Sequence, residues 1–345
     1  MPASKNYMNK AKAIFVAALL IIAGSLSYGQ GRGVPDSQVS PFMRFLGHFT
    51  VSGSVGYGAT FSTHQVAGTS LIQNPGQAPL LFDPSLINND TITVAYANWM
   101  NYPTAVNRVG IDSAAFLLGT DSVPVTFRSV GTSIPIDISV HYTFDRYRIG
   151  GGFSFEPYIM GKYKPDVYQG QIQPFKAAFA LSTYTRWYFL FGGEIFRTRR
   201  YTLVADARVG SYKQAKKHFN PDLIKRSLFF NVGVRFEQSL SEYVRVFVRP
   251  SFEFKSYTLT FPESSNAIIN KLPALYVSFG LSWRLPDRHK CPVKSCQTQI
   301  NHHHSGKQYR SRVHPFWKWQ NPDYGENYPK LIRYKGKNKR KLAPY

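Results

Sequence analysis

The sequence predicts an all-β fold, a transmembrane antiparallel up-and-down β-barrel of eight strands, followed by an irregular basic C-terminal tail. Three observations carry this expectation. Long segments alternate strictly between apolar and polar residues, the period of a strand with one apolar face. Their apolar runs are about nine to eleven residues long, which suits tilted strands crossing a bilayer. The connections between them alternate long and short, as in barrels with short turns at one end and long loops at the other.

Ala274–Leu285 shows the pattern most cleanly. Leu275, Val277, Phe279, Leu281 and Trp283 alternate with Tyr276, Ser278, Gly280, Ser282 and Arg284. Aromatics near its two ends, Tyr276 and Trp283, suit the membrane interfaces. Pro, Lys, Arg and His dominate immediately afterwards, so this stretch reads as the strand that closes the barrel.

From the start of the chain, Lys5, Lys10 and Lys12 precede the apolar run 13–23, too short for a transmembrane helix. Ser27 and Gly29 then mark a cut before Gln30, so residues 1–29 read as a cleaved export signal without a lipoprotein cysteine at the junction. Residues 30–45, rich in Gly, Pro and Ser, read as a mobile lead-in, and the barrel is expected over 46–285.

The first strand alternates from Phe49 to Ser62. Residues 65–130 break the pattern with NPG, DPS, NND and NYP turn signals. They read as one long loop with some structure of its own, or as an extra hairpin that would give ten strands. Alternation returns at Ile134, Ile136, Ile138, Val140, Tyr142 and Phe144, turns at Asp145-Arg146, and runs on through Tyr147–Glu156. A second long connection covers 163–182. Trp187–Ile195, Leu203–Val209, Leu228–Glu237 and Val244–Lys255 supply four more strands, joined by a basic turn at Arg197–Arg200, a loop at 213–225 and a turn at Gln238–Glu242. A loop at 260–272 leads to the last strand. An even strand number puts both barrel ends on the short-turn side. In an outer membrane that side would be periplasmic and the long connections extracellular.

One face of the strands is almost wholly Val, Leu, Ile, Phe, Tyr, Trp, Ala and Gly. The other holds Asp137, Glu156, Glu194, Asp206, Glu237 and Glu253 with Arg148, Arg186, Arg208, Arg235, Arg245, Arg249, Lys255 and Arg284. Inside a narrow barrel these charges should pair, because unpaired buried charge is costly. Eight strands leave a lumen that side chains can fill, so a plugged interior is expected rather than a pore.

No enzyme motif stands out. Asp137, Ser139 and His141 share a face, but i and i+2 on a strand lie about 7 Å apart, too far for a Ser–His hydrogen bond. No cofactor is expected. Cys291 and Cys296 suit a small disulfide loop in an oxidising compartment. With the histidines that follow, they also approach a zinc ligand set, at the edge of the usual spacing.

Of 42 Lys and Arg in the chain, 14 lie in 286–345 against three acids. Trp317, Trp319, Tyr324 and Tyr328 precede a cationic run containing Lys335, Lys337, Lys339, Arg340 and Lys341. Few aliphatics are available to bury there. Aromatic and basic residues anchor interfaces, so the tail reads as an interaction segment for a periplasmic protein or peptidoglycan, while the barrel's own surroundings are outer-membrane lipid. Export argues against nucleic acid.

Together the strands resemble the small eight-stranded outer-membrane barrels of the OmpA, OmpX and OmpW kind over 46–285. The cut before Gln30 and the basic tail resemble envelope proteins of Bacteroidota. That likeness implies a non-enzymatic anchor or accessory part of an envelope assembly such as type IX secretion. It carries over no site residue. The alternative expectation is an outer-membrane channel for small solutes or hydrophobic substrates.

Overall fold

The computed structural model describes residues 41–317, except 67–69, 83–86, 89–90, 98–103, 108–112, 120–123, 178–179, 199, 218–220, 261–266, 297, 299–300 and 315. The signal segment and most of the lead-in lie outside these residues. Pro41–Leu46, at the junction of the lead-in expected over 30–45 and the barrel expected from 46, is a short helix. Its Phe45 packs edge-on against Phe49, with ring centroids 5.1 Å apart, and lies near Tyr142.

The period-two stretches form eight barrel strands. The first is Phe49–Val66; the second comes in two pieces, Val125–Ser133 and Ile136–Phe144. The third is Tyr147–Ile159, the fourth Leu181–Arg197 and the fifth Tyr201–Gln214. Ile224–Arg226 with Phe229–Ser239 makes the sixth, and Val244–Phe254 with Ser256–Thr260 the seventh. The eighth is Ala267–Lys271 with Ala274–Arg284. Each pairs antiparallel with its neighbours, and the first and last close the ring through an unbroken register from Thr50↔Arg284 to Thr60↔Ala274. Closure removes the unpaired strand edges. The extra-hairpin alternative of ten strands does not occur.

Several strands run further than their alternation suggests. The second begins at Val125, inside the stretch read as loop, and continues past Pro135, whose missing N–H interrupts the ladder. Gly56 keeps contact there by donating its N–H to the Pro135 carbonyl, 2.7 Å. These extensions all lie at the long-connection end and raise the barrel wall.

The first long connection folds into a separate six-stranded antiparallel sheet built from short strands between Ser70 and Leu118. The second dips inward. Tyr163, Ile172 and Phe175 are buried with Leu71, Leu81, Phe127, Leu259 and Ile268. The two connections are tied by Gln73 and Gln173: the Gln73 side chain donates to the Gln173 carbonyl at 3.0 Å and accepts the Gln173 N–H at 2.7 Å. The apolar core therefore sits mainly as a cap at the long-connection end, with Tyr188 and Leu190 reaching down into the barrel's girth.

Within the girth the faces are inverted relative to a soluble barrel. Ile138, Trp187, Phe189, Phe191, Phe279 and Leu281 are exposed, Phe279 by 62%. A continuous apolar belt of this extent is a lipid-facing surface. Phe144, Tyr147, Phe196, Tyr201 and Trp283 ring its short-turn end. Tyr276 does not join such a ring. It lies on the inward side of its strand and is buried in the lumen.

Phe279 pairs with Val55 near mid-belt, so Phe279→Arg should destabilise the barrel by about 2–4 kcal/mol in lipid, the depth-dependent cost of a guanidinium facing hydrocarbon. Urea unfolding in liposomes measures this. Unchanged stability would mean that Phe279 does not face the bilayer.

Candidate functional site

Strand alternation aims one residue in two into the lumen, and the charged ones meet there in three tiers. At the short-turn end, Arg148 grips Glu237 through both guanidinium nitrogens, 2.6 and 2.9 Å, and donates to Glu194 at 3.1 Å. Arg245 reaches the same Glu237 at 3.0 Å and Arg235 at 3.3 Å. The Arg235 guanidinium lies 3.5 Å from the Phe247 ring centroid. Arg197, exposed at the rim, adds a bond to Glu194 at 2.8 Å.

In the middle tier Arg249 holds Asp206 through Nε at 2.8 and 3.0 Å, and donates to Asn231 at 2.7 Å. Gly233 makes room for it, since a Cβ there would lie 2.7 Å from the guanidinium. Arg208 pairs with Asp137 at 3.3 Å and covers the Tyr188 ring, 4.9 Å from its centroid. Asp137 is thus committed to an arginine, and the structure does not assemble it with Ser139 and His141 into a triad.

The third tier lies beneath the apolar cap. Arg186 bridges Glu156, at 2.6 Å, and Glu253. Lys255 sits between the same two carboxylates at 3.2 and 3.1 Å, and the Tyr276 hydroxyl donates to Glu156 at 2.8 Å. Tyr158 and Ser62 share a hydrogen bond of 2.7 Å above it.

These tiers gather Asp137, Arg148, Glu156, Glu194, Asp206, Arg208, Arg235, Glu237, Arg245, Arg249 and Glu253 around one axis, together with Arg186 and Lys255. Arg284 is the exception. It is exposed at the barrel's end, and its Nε donates to the Gly47 carbonyl. The lumen turns out at the last strand residue, so alternation alone assigns Arg284 wrongly. Sequence reading also missed Asn231 and Tyr276 as partners of the charges. Their inward phase was the available signal.

The interior cavity lined by Asp137, Arg186, Arg208, Arg249, Glu253 and Tyr276 measures about 10 Å³, room for roughly one water.

The second candidate site follows the barrel. Residues 286–314 are not an irregular tail but a small folded unit at the short-turn end. Leu285 donates its N–H to the Phe49 carbonyl at 3.0 Å, and Asp287 packs against Gly47. His302–His304 and Lys307–Tyr309 form a hairpin. Its two-residue turn puts Ser305 and Gly306 at φ 48° and 78°, the geometry of a tight hairpin turn. The Cys291 N–H donates to the Arg310 carbonyl and the Arg310 N–H to the His289 carbonyl, locking the segment beside the hairpin. Cys291 and Cys296 are unbridged thiols, and His302 and His304 turn towards them. Trp317 is exposed and packs edge-on with Phe316. Trp319, Tyr324, Tyr328, Lys335, Lys337, Lys339, Arg340 and Lys341 lie outside the described residues.

No family model and no curated protein matches the chain. Among solved structures, the chain is similar to the outer membrane protease OmpT from Escherichia coli, with 10% identity, a TM-score of 0.30, and 68% of this chain and 96% of that chain covered. The outer membrane protein OprG from Pseudomonas aeruginosa matches at 11% identity and TM-score 0.29, covering 67% and 95%. The translocator domain of autotransporter NalP from Neisseria meningitidis matches at 10% and 0.20, covering 82% and 100%. Scores this low carry no residue correspondence, and the barrel rests on the chain's own strand register.

Arg249→Met leaves the Asp206 carboxylate buried without its main partner, and should cost about 3–5 kcal/mol. Adding Asp206→Asn should restore at least half of that loss, because no lone charge then remains. Chemical unfolding of the single and double variants in detergent tests the pair. Additive losses would show that the two side chains do not act as a unit.

Proposed function

We propose that the chain is a closed outer-membrane barrel that anchors a periplasmic docking surface, rather than a conduit. The observation that carries this reading is the lumen. Among the described residues, salt-bridged tiers and an apolar cap occupy the lumen, and the cavity between the charged tiers measures about 10 Å³, whereas a channel needs a continuous aqueous path. The lipid-facing belt supports an outer-membrane location, since closed β-barrels are how strands span that membrane. Short turns and both barrel termini share one end, which in outer-membrane barrels is the periplasmic one. The folded unit 286–314 projects from that end, and beyond it the chain carries the aromatic and cationic residues from Trp317 to Lys341.

In this reading the barrel contributes position and the C-terminal segment contributes recognition. Trp317 presents apolar area, and a run of cations follows it in the sequence at 335–341, the combination that binds an acidic protein face or an anionic wall polymer. An accessory role in an envelope assembly of the Bacteroidota type, including type IX secretion, agrees with this division of labour, and no catalytic step is assigned to the barrel.

Reconstituted in planar bilayers, the protein should give no stable single-channel steps. Large, long-lived conductance steps would overturn the closed-lumen reading. A photoreactive residue at position 317, activated in intact cells, should crosslink a discrete periplasmic partner or peptidoglycan. Deletion of 318–345 should lower that yield at least several-fold while the barrel still inserts and shows heat-modifiable mobility. Equal yield without 318–345, or crosslinks to lipid alone, would remove the docking role.

A further inference from the structure

The unit that follows the barrel is built mainly from polar residues. Among the described residues, the side chains buried within it are Cys291, Ser311 and His314, none of them aliphatic. A segment of this size rarely folds on so little apolar area without a staple. Four groups of staple chemistry converge inside it. The Cys291 and Cys296 thiols and one nitrogen each of His302 and His304 all lie within 4.8 Å of one another. Cys296 Sγ is 3.2 Å from His302 Nε2 and 3.4 Å from His304 Nε2. A tetrahedral zinc with S and N ligands at its usual bond lengths separates those ligand atoms by roughly 3.3–3.8 Å.

The backbone explains the convergence. His302 and His304 are two apart on one hairpin strand, so both rings leave the same face, with centroids 4.8 Å apart. His303 leaves the other. The Ser305-Gly306 turn fixes that strand's register, with His302 opposite Tyr309 and His304 opposite Lys307. The segment before it brings both cysteines to the same face, with a turn in which the Cys296 N–H donates to the Val293 carbonyl at 3.2 Å.

We infer that Cys291, Cys296, His302 and His304 form a structural site for a borderline-soft divalent cation, zinc, that fixes the C-terminal unit against the periplasm-facing end of the barrel. Four protein ligands complete a tetrahedron and leave no open position, so the site is structural rather than catalytic. Binding forms two zinc–sulfur and two zinc–nitrogen bonds and releases the two thiol protons to solvent, with no change of oxidation state. A Cys291–Cys296 disulfide is the competing state, because it consumes both sulfur ligands.

The test uses the full chain without an affinity tag, purified in detergent under reducing conditions, stripped with chelator and titrated with zinc. Native mass spectrometry should show one zinc per chain. Cobalt in place of zinc should give thiolate charge-transfer absorption and the intense visible bands of a tetrahedral centre. Cys296→Ser and His304→Ala should weaken zinc binding by more than about tenfold, whereas His303→Ala should leave it unchanged. Heat-modifiable mobility reports in each variant that the barrel is folded. The assignment is overturned if the reduced wild type takes up no zinc, or if Cys296→Ser binds as tightly as wild type. It is also overturned if His303→Ala weakens binding as much as His304→Ala.

Discussion

The buried pairing of Arg249 with Asp206, and the tiers of ion pairs above and below it, form the constraint on which the barrel depends. A membrane barrel turns its apolar side chains outward, so its interior inherits whatever the other half of each strand carries. Here that half carries Arg, Lys, Asp and Glu. Each of these groups would cost several kcal/mol if buried alone. The fold is viable because every tier closes on itself. Glu237 is shared by Arg148, Arg235 and Arg245, and Glu156 and Glu253 are spanned by Arg186 and Lys255.

That pairing shapes the backbone as well. Long arginines need space across a narrow lumen, and small residues at inward positions give it. Gly233 admits the Arg249 guanidinium, and Ser154, Ser278 and Ser282 fill the intervals with little volume. The interior changes character along the axis. Charges occupy the girth, while tyrosines and aliphatics occupy the long-connection end, where Ile172 and Phe175 reach in from the second connection.

At the short-turn end the chain does not simply trail away. It folds once more around Cys291 and the His302–His304 hairpin before the cationic region begins.

The alternation in stretches such as Ile136–Phe144 or Ala274–Arg284 was enough to give strand identity and the inward phase of the charged residues other than Arg284, because period two is a property of neighbours in the chain; the choice between eight and ten strands waited on the separate sheet formed by the first long connection. The sequence by itself determined which residues face lipid, and that the lumen would be charged. It did not show how the charges pair. Arg148 and Glu237 are 89 residues apart, and Tyr276 and Glu156 are 120 apart, so only closure of the ring selects the partners. Nor did it show that 125–133 continues the second strand, since Pro135 and the Gly and Ser residues nearby disguise a strand whose ladder is supported from both sides. The six-stranded sheet, the rim position of Arg284 and the gathering of two cysteines with two histidines were likewise settled by tertiary structure. Each depends on where distant segments meet, which local patterning does not encode.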